Sequence, residues 1–206
     1  MELQDVINNL NRVVKSHFNN QTPSFKPVSV TSVLLVGQNN SLAVDHHKST
    51  VEQVKVVNLF DEFWLSVYIT FKPQKVLELL SFSLSVFKGT EADDYKQQIF
   101  RAEWNYYEND SSHPQPHWHF YSNSEVEYLK KQFSEIVEND KGSFLSELAN
   151  ESQSKMRNVT KMHFAMNSQW QIRKGHSCSL ESATTFINWF DGLLGHLKEE
   201  LAYSLQ

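Results

Sequence analysis

The chain has 206 residues and a net charge of −5 at neutral pH, and 13% of its residues are aromatic. This aromatic content is enough for a sizeable core, which excludes an intrinsically disordered chain. Glycine and proline contribute only 6 and 5 residues, which excludes a linker-rich or low-complexity chain. We therefore expect one folded domain over residues 1–206.

Neither a membrane anchor nor a secretion signal is indicated. No stretch approaches the roughly 20 apolar residues of a membrane-spanning helix. The first residues, MELQDVINNL, are acidic and amphipathic, whereas a signal peptide is basic and then apolar. The single cysteine, Cys178, excludes an internal disulfide and a multi-cysteine zinc site. These features predict a cytoplasmic protein without membrane contact.

Three stretches have the apolar spacing of three and four residues that is typical of amphipathic helices. The first runs over residues 3–18. The second begins at Ser124, and Glu127 three residues later completes a capping-box pattern. The last begins near Leu180, with an inward face formed by Phe186, Phe190, Leu193, Leu194, Leu197 and Leu201.

Between the first two helices the apolar period changes to two, which is typical of strands with one buried face. Five strands are predicted, at residues 28–36, 63–71, 80–86, 98–107 and 117–121. In the third, apolar residues from Leu80 to Val86 alternate with Ser81, Ser83 and Ser85. The prediction is an α+β fold: an antiparallel meander of about five strands, covered on one side by an N-terminal helix and C-terminal helices.

The most informative stretch is the hairpin of the last two predicted strands, QIFRAEWNYYENDSSHPQPHWHFYS. Alternation gives it a polar face formed by Arg101, Glu103, His117 and His119. Its apolar face carries Trp104 and Trp118, and pairing these two would set Glu103 opposite His119. His113 in the loop could fold over the polar face, because Pro114 and Pro116 restrict the backbone around it.

Two interpretations of this polar face stay open. Two imidazoles two residues apart, with a carboxylate on the next strand, can bind one divalent metal, so His117, His119 and Glu103 are candidate ligands. Glu103, Arg101 and His113 are the candidate catalytic residues for acid–base chemistry. The structural alternative is a cross-strand ion pair of Arg101 with Glu103 and half-buried histidines that hydrogen-bond within a stiff hairpin. No second acidic ligand lies beside HWH, which disfavours a two-metal nuclease site.

The remaining histidines and the cysteine have simpler interpretations. His163 is expected in a core strand, and Cys178 as a small buried thiol. His46 and His47 lie in the polar stretch DHHKST, which predicts a solvated loop. His17 ends the first helix, where a cation interacts favourably with the helix dipole.

One segment differs in charge from the rest of the chain, because residues 152–180 contain no acidic residue. Its candidate contact residues for a partner are Arg157, Lys161, Trp170, Arg173 and Lys174. Lysine and arginine would suit an acidic protein or nucleic-acid phosphate, but the negative net charge disfavours nucleic acid. A solvated loop, balanced by acidic residues near Glu91, is the alternative.

The motifs FRAEW, HPQPHWHF and MHFAM, the last followed by a tryptophan, resemble those of a poorly characterised bacterial family with a QPHWH-type hairpin. This resemblance covers the chain from about residue 98. The hairpin is also similar to those of small toxin-like proteins from toxin–antitoxin pairs. The resemblance implies a partner-bound role in anti-phage or anti-plasmid systems, including those with an SMC-like ATPase, and identifies no catalytic residues.

Two functions follow as predictions. The first is an accessory or regulatory subunit of a bacterial defence complex, which acts by contact with larger protein subunits. The alternative is a metal-dependent hydrolase or nuclease-like effector that uses Glu103, His117 and His119, with one divalent metal as its cofactor.

Overall fold

The computed structural model describes residues 2–18, 22–39, 41–47, 50–73, 77–93, 96–106, 116–120, 180 and 182–205. These residues form helices and an antiparallel sheet, which confirms the predicted α+β class. The chain divides into two compact units, Met1–Phe120 with Met166–Leu197 and Tyr121–Ala165 with Lys198–Gln206. Most of the second unit lies outside the described residues, so one domain over residues 1–206 stays a prediction. The helix predicted from Ser124 also lies outside them.

The described elements, in chain order, are α1 Leu3–His17, β1 Ser24–Pro27, β2 Ser32–Val36, β3 Leu42–His47, β4 Thr50–Lys55, β5 Val57–Phe60, β6 Phe63–Phe71, β7 Leu79–Lys88, β8 Gln97–Asn105, β9 His117–Phe120 and α2 Ala183–Ser204. Seven of these strands form one sheet. Six of them lie in the order β1-β2-β6-β7-β8-β9. The seventh, β5, pairs with the first residues of β6, whereas β2 pairs with its last residues. All described pairings within the sheet are antiparallel. Strands β3 and β4 form a separate two-stranded ribbon.

Helix α1 forms where the apolar spacing of the sequence predicts it. Val6, Ile7, Leu10 and Val14 are all buried, and they lie on one side of the helix. The carboxylate of Asp5 accepts a hydrogen bond from the backbone N–H of Glu2 at 3.3 Å, which closes the first turn. At the other end, His17 Nε2 lies 2.7 Å from Asp191 Oδ1 of α2, so a hydrogen bond joins α1 to α2.

Helix α2 covers one face of the sheet with aromatic side chains. The six residues predicted for its inward face are all buried. Phe186 and Phe190 contact the ring of Phe82 of β7, with centroid distances of 5.3 and 5.9 Å. Phe190 also contacts Phe25 of β1 at 5.9 Å. These edge-to-face contacts fix the helix across the apolar face of the central strands.

The strand predicted over residues 28–36 begins later than predicted, at Ser32. Val28 to Thr31 form a turn instead, in which the N–H of Val28 donates to the carbonyl of Ser32 at 2.9 Å. The strand before this turn, β1, ends at Pro27. Proline has no N–H to donate, and it is tolerated because β1 lies at the end of the described sheet order.

The alternation predicted from Leu80 is also wrong at its first residue. Leu79 is fully buried, whereas Leu80 is 37% exposed. The cause is a β-bulge, because Thr70 pairs with Ser81 and Phe71 pairs with Leu79, which leaves Leu80 without a partner on β6. Beyond the bulge, Phe82, Leu84 and Val86 are buried as predicted.

The ribbon covers part of the other face of the sheet, which was not predicted from the sequence. Its anchor is a small apolar cluster in which Ala43 and Val54 of the ribbon, with Val56, pack on Trp64 and Phe87 of the sheet. His46 and His47 lie on β3 in paired backbone, so the loop predicted at these two positions is wrong. Helices cover one face and the ribbon the other, and the sheet between them carries the polar residues of the candidate site.

Candidate functional site

The predicted hairpin forms, with a register that differs by two residues from the expected one. Ala102 pairs with Trp118, and Glu103 pairs with His117, so Trp104 is not opposite Trp118. A shift of two residues keeps every side chain on its predicted face, whereas a shift of one would exchange the two faces. Phe100, on the apolar face, contacts the ring of Trp118 at 5.7 Å.

Glu103 joins a buried cation to a half-exposed imidazole on the polar face of this hairpin. Its Oε1 lies 2.9 Å from Nε of Arg101, two residues away on the same strand. Its Oε2 lies 3.1 Å from Nε2 of His119 on β9. The side chains of Arg101 and Glu103 are 2% and 5% exposed, whereas that of His119 is 43% exposed. The three side chains of Arg101, Glu103 and His119 therefore form a continuous series of contacts from the protein interior to the solvent.

The diagonal contact between Glu103 and His119 agrees with the predicted grouping, although the two residues are not directly opposite. Side chains at diagonal positions on neighbouring strands are still within reach when they are long. The Arg101–Glu103 ion pair of the structural interpretation is also present, but it lies along β8 and not across strands. A carboxylate that contacts an imidazole nitrogen orients the ring.

Asp45 of the ribbon completes this polar cluster, and no sequence pattern indicated its place there. Its Oδ2 accepts a hydrogen bond from Ser85 at 2.9 Å, and its Oδ1 accepts one from Gln98 Nε2 at 2.7 Å. Nη1 of Arg101 lies 3.6 Å from the same Oδ1. Asp45 is thus held by three residues of β7 and β8, and it fastens the ribbon to the sheet.

Between the ribbon and the sheet lies a cleft of about 540 Å³, which we call the ribbon cleft. The sheet contributes hydroxyl groups from Ser66, Tyr68 and Ser83, and the Glu103 carboxylate. The ribbon contributes Asp45, Glu52 and neighbouring residues of β4. This volume lies within the range of small-ligand sites, in which a few polar groups converge in a concave surface.

Not every predicted site residue can be placed. Arg101, Glu103 and His119 are brought together, whereas for His117 the structure gives only the backbone pairing with Glu103. His113 lies outside the described residues. The same holds for His163 and Cys178 and for the predicted partner contacts, which are Arg157, Lys161, Trp170, Arg173 and Lys174.

Metal binding stays a prediction, although the structure brings two of the three predicted ligands, Glu103 and His119, into contact. Within the described residues, no group of three or more histidine, cysteine, aspartate or glutamate side chains is arranged to hold a metal ion. The side chain of His117, the third predicted ligand, is not among those described. Glu103 and His119 are close enough to share one ion, but a metal there would compete with Arg101 for the same carboxylate.

Comparisons with known proteins give no assignment, since no protein-family model, curated protein or solved structure matches the chain. In the part of the chain that the structure describes, no helix is both long and apolar enough to cross a membrane. Function is therefore argued from the site itself.

Proposed function

We propose that the chain is an accessory or regulatory subunit of a bacterial defence complex, and that it recognises a larger protein partner through the ribbon cleft. The observation that carries this proposal is the cleft itself, a concave surface of about 540 Å³ with polar groups on both walls. The defence setting rests on the resemblance of the motifs FRAEW, HPQPHWHF and MHFAM.

The cleft is suited to recognition because its two walls are held together before any ligand binds. The bonds of Asp45 to Ser85 and Gln98 fix the ribbon at one point, and the packing of Val54 on Trp64 and Phe87 fixes it at a second. A binding surface that is already ordered loses less conformational entropy when a partner arrives. The ordered cleft therefore favours stable association with a partner protein.

A substitution that fills the cleft tests this function. Ser83 lines the cleft on β7, and Leu80 on the same strand is exposed and does not line it. We expect Ser83→Trp to lose the products of adjacent genes that co-purify with the tagged parent chain. The matched control Leu80→Trp adds the same bulk outside the cleft and should retain them.

The result is interpreted together with thermal stability. If Ser83→Trp lowers the melting temperature, the smaller Ser83→Leu replaces it in the same comparison. Retention of the same co-purifying proteins by a folded cleft variant would show that the cleft is not the contact. The basic segment stays a separate predicted contact, and reversing Arg157 and Lys161 to glutamate tests it in the same assay.

A second function, a metal-dependent hydrolase or nuclease-like effector, is favoured by one contact. The 3.1 Å distance between Glu103 Oε2 and His119 Nε2 brings together two of the three predicted metal ligands, a carboxylate and an imidazole. The test is hydrolysis of a phosphodiester such as bis(p-nitrophenyl) phosphate, with and without manganese. His119→Ala should abolish any hydrolysis that belongs to this site, and a rate equal to that of the parent would exclude His119 from it.

A further inference from the structure

The two carboxylates of the ribbon face the sheet together. In the ribbon, Ala43 pairs with Val54 and Asp45 pairs with Glu52. Ala43 and Val54 pack on the sheet. Because side chains alternate along a strand, the pair two residues further along, Asp45 and Glu52, lies on the same sheet-facing side. Like charges directly opposite each other destabilise a strand pair, so this arrangement calls for a compensating cation.

Only one of these two carboxylates has such a cation among the described residues. Asp45 has Arg101, which is buried and is already shared with Glu103. Within the same part of the chain, Glu52 makes no hydrogen bond or ion pair, and its side chain is exposed at the cleft. Lys55 also lines the cleft, but alternation places it on the opposite side of β4 from Glu52 and Val54. The cleft therefore has an excess of negative charge that Arg101 and Lys55 do not balance.

A second, independent observation comes from the sheet wall. Ser66 is only 7% exposed and lines the cleft, yet its hydroxyl has no hydrogen-bond partner among the described residues. Since Ser66 lines the cleft, the small exposed part of this side chain is accessible to a ligand there. The hydroxyl groups of Tyr68 and Ser83 in the same wall are likewise without a partner in the described part of the chain. The wall thus offers unused hydrogen-bond acceptors.

We infer that the ribbon cleft receives a cationic side chain, lysine or arginine, from the partner protein. Ammonium and guanidinium groups are donors only, which matches the Glu52 carboxylate and the hydroxyl oxygens of the sheet wall. The ring of Tyr68, which is 43% exposed, can contact the cation through its face. This inference rests on the proposed function in one respect, namely that a partner protein occupies the cleft.

The experiment is a binding titration of the full chain, followed by NMR, with two matched peptides. The probes are the amide-capped tripeptides acetyl-Ala-Arg-Ala and acetyl-Ala-Glu-Ala. We expect the arginine peptide to bind and to shift the resonances of Ser66 and Tyr68, and the glutamate peptide not to bind. Glu52→Gln should weaken binding of the arginine peptide about tenfold, because a charge-assisted contact is lost. The matched control is Glu199→Gln on α2, which removes an exposed carboxylate that does not line the cleft.

The outcomes separate this inference from the proposed function. Equal binding of the two peptides, no binding of the arginine peptide, or equal affinity of Glu52→Gln and the parent would each overturn the cation site. If the cation site is overturned but Ser83→Trp still loses the co-purifying partner, the cleft remains the contact surface for that partner. If the arginine peptide binds as expected but Ser83→Trp retains the partner, the cation site stands and the proposed function fails. Propylguanidine, a singly charged guanidinium compound without a peptide backbone, tests the source: much tighter binding than the peptide would overturn the assignment to a protein side chain.

Discussion

Asp45 Oδ1 lies 3.6 Å from Nη1 of Arg101, and this ion pair joins the ribbon to the sheet at the edge of the cleft. The guanidinium of Arg101 is almost fully buried, so its charge is stable only with nearby carboxylates. Asp45 and Glu103 supply them from two different elements. The position of the ribbon is therefore coupled to the electrostatics of the sheet face.

The first prediction concerns this coupling. Asp45→Ala should lower the free energy of unfolding by about 3 kcal/mol, because it removes a carboxylate beside the buried Arg101 and two hydrogen bonds to the sheet. Its cross-strand neighbour Glu52 is the matched control, and Glu52→Ala should change stability by no more than about 0.5 kcal/mol. Urea denaturation of both variants measures the difference. Equal values for the two would mean that Asp45 does not hold the ribbon.

The second prediction compares the two tryptophans of the hairpin. Trp104 is buried, whereas Trp118 is only half-buried, although both lie on the apolar face. Trp104→Ala should cost about 3 to 5 kcal/mol of unfolding free energy, and Trp118→Ala about half as much. Denaturant unfolding of the two variants gives both values. An unchanged unfolding midpoint for Trp104→Ala would contradict the placement of this strand.

The faces of the hairpin could be predicted from the sequence, but its register could not. Alternation of Trp104 and Trp118 with Glu103 and His119 decides which side of the sheet each residue faces. Registers that differ by two residues satisfy the same alternation, so the choice depends on which particular side chains fit together. The structure selects the register in which Trp118 lies opposite Ala102. The small alanine leaves room there for the large indole.

The ribbon could not be predicted from the sequence, because its sheet-facing positions carry both apolar and acidic residues. A strand that faces a core usually alternates apolar with polar residues, but the sheet-facing positions of the ribbon include Asp45 and Glu52 as well as Ala43 and Val54. Asp45 lies there because the sheet beneath it carries Arg101, Ser85 and Gln98, which contact its carboxylate. The reason for the pattern is therefore found in β8, about fifty residues away in the chain, and not in the ribbon's own sequence.

The third prediction is a pH dependence. The pKa of Lys72 is raised: burial alone would lower it, but the hydrogen bond from Nζ to Glu78 and the contact with Tyr106 favour the ammonium form. These distances are 3.2 Å to Glu78 Oε2 and 3.0 Å to the centre of the Tyr106 ring. A raised pKa in the folded state stabilises the protein below the usual value of 10.5, and this stabilisation is lost as the pH rises through the raised value.

Lys72→Met should therefore lower the melting temperature at neutral pH, and the difference from the parent should shrink when the pH exceeds 10.5. Lys26→Met is the control, because Lys26 is exposed on β1 and makes no contact of this kind among the described residues. Melting curves across the alkaline range measure the effect. A difference that stays constant up to the most alkaline pH would exclude titration of Lys72 as its cause.

The last prediction separates structural from chemical roles on the polar face. Glu103→Gln should cost about 3 kcal/mol of unfolding free energy, because the buried Arg101 loses the carboxylate charge that lies 2.9 Å from its Nε. His119→Asn should cost no more than about 1 kcal/mol, since the side chain of His119 is 43% exposed and its pair with Glu103 is partly screened by water. The two variants thus remove the two ends of one contact at different expected costs. A loss for His119→Asn as large as that for Glu103→Gln would make His119 a structural partner of the carboxylate, whereas a small loss leaves it available for binding or acid–base chemistry at the surface.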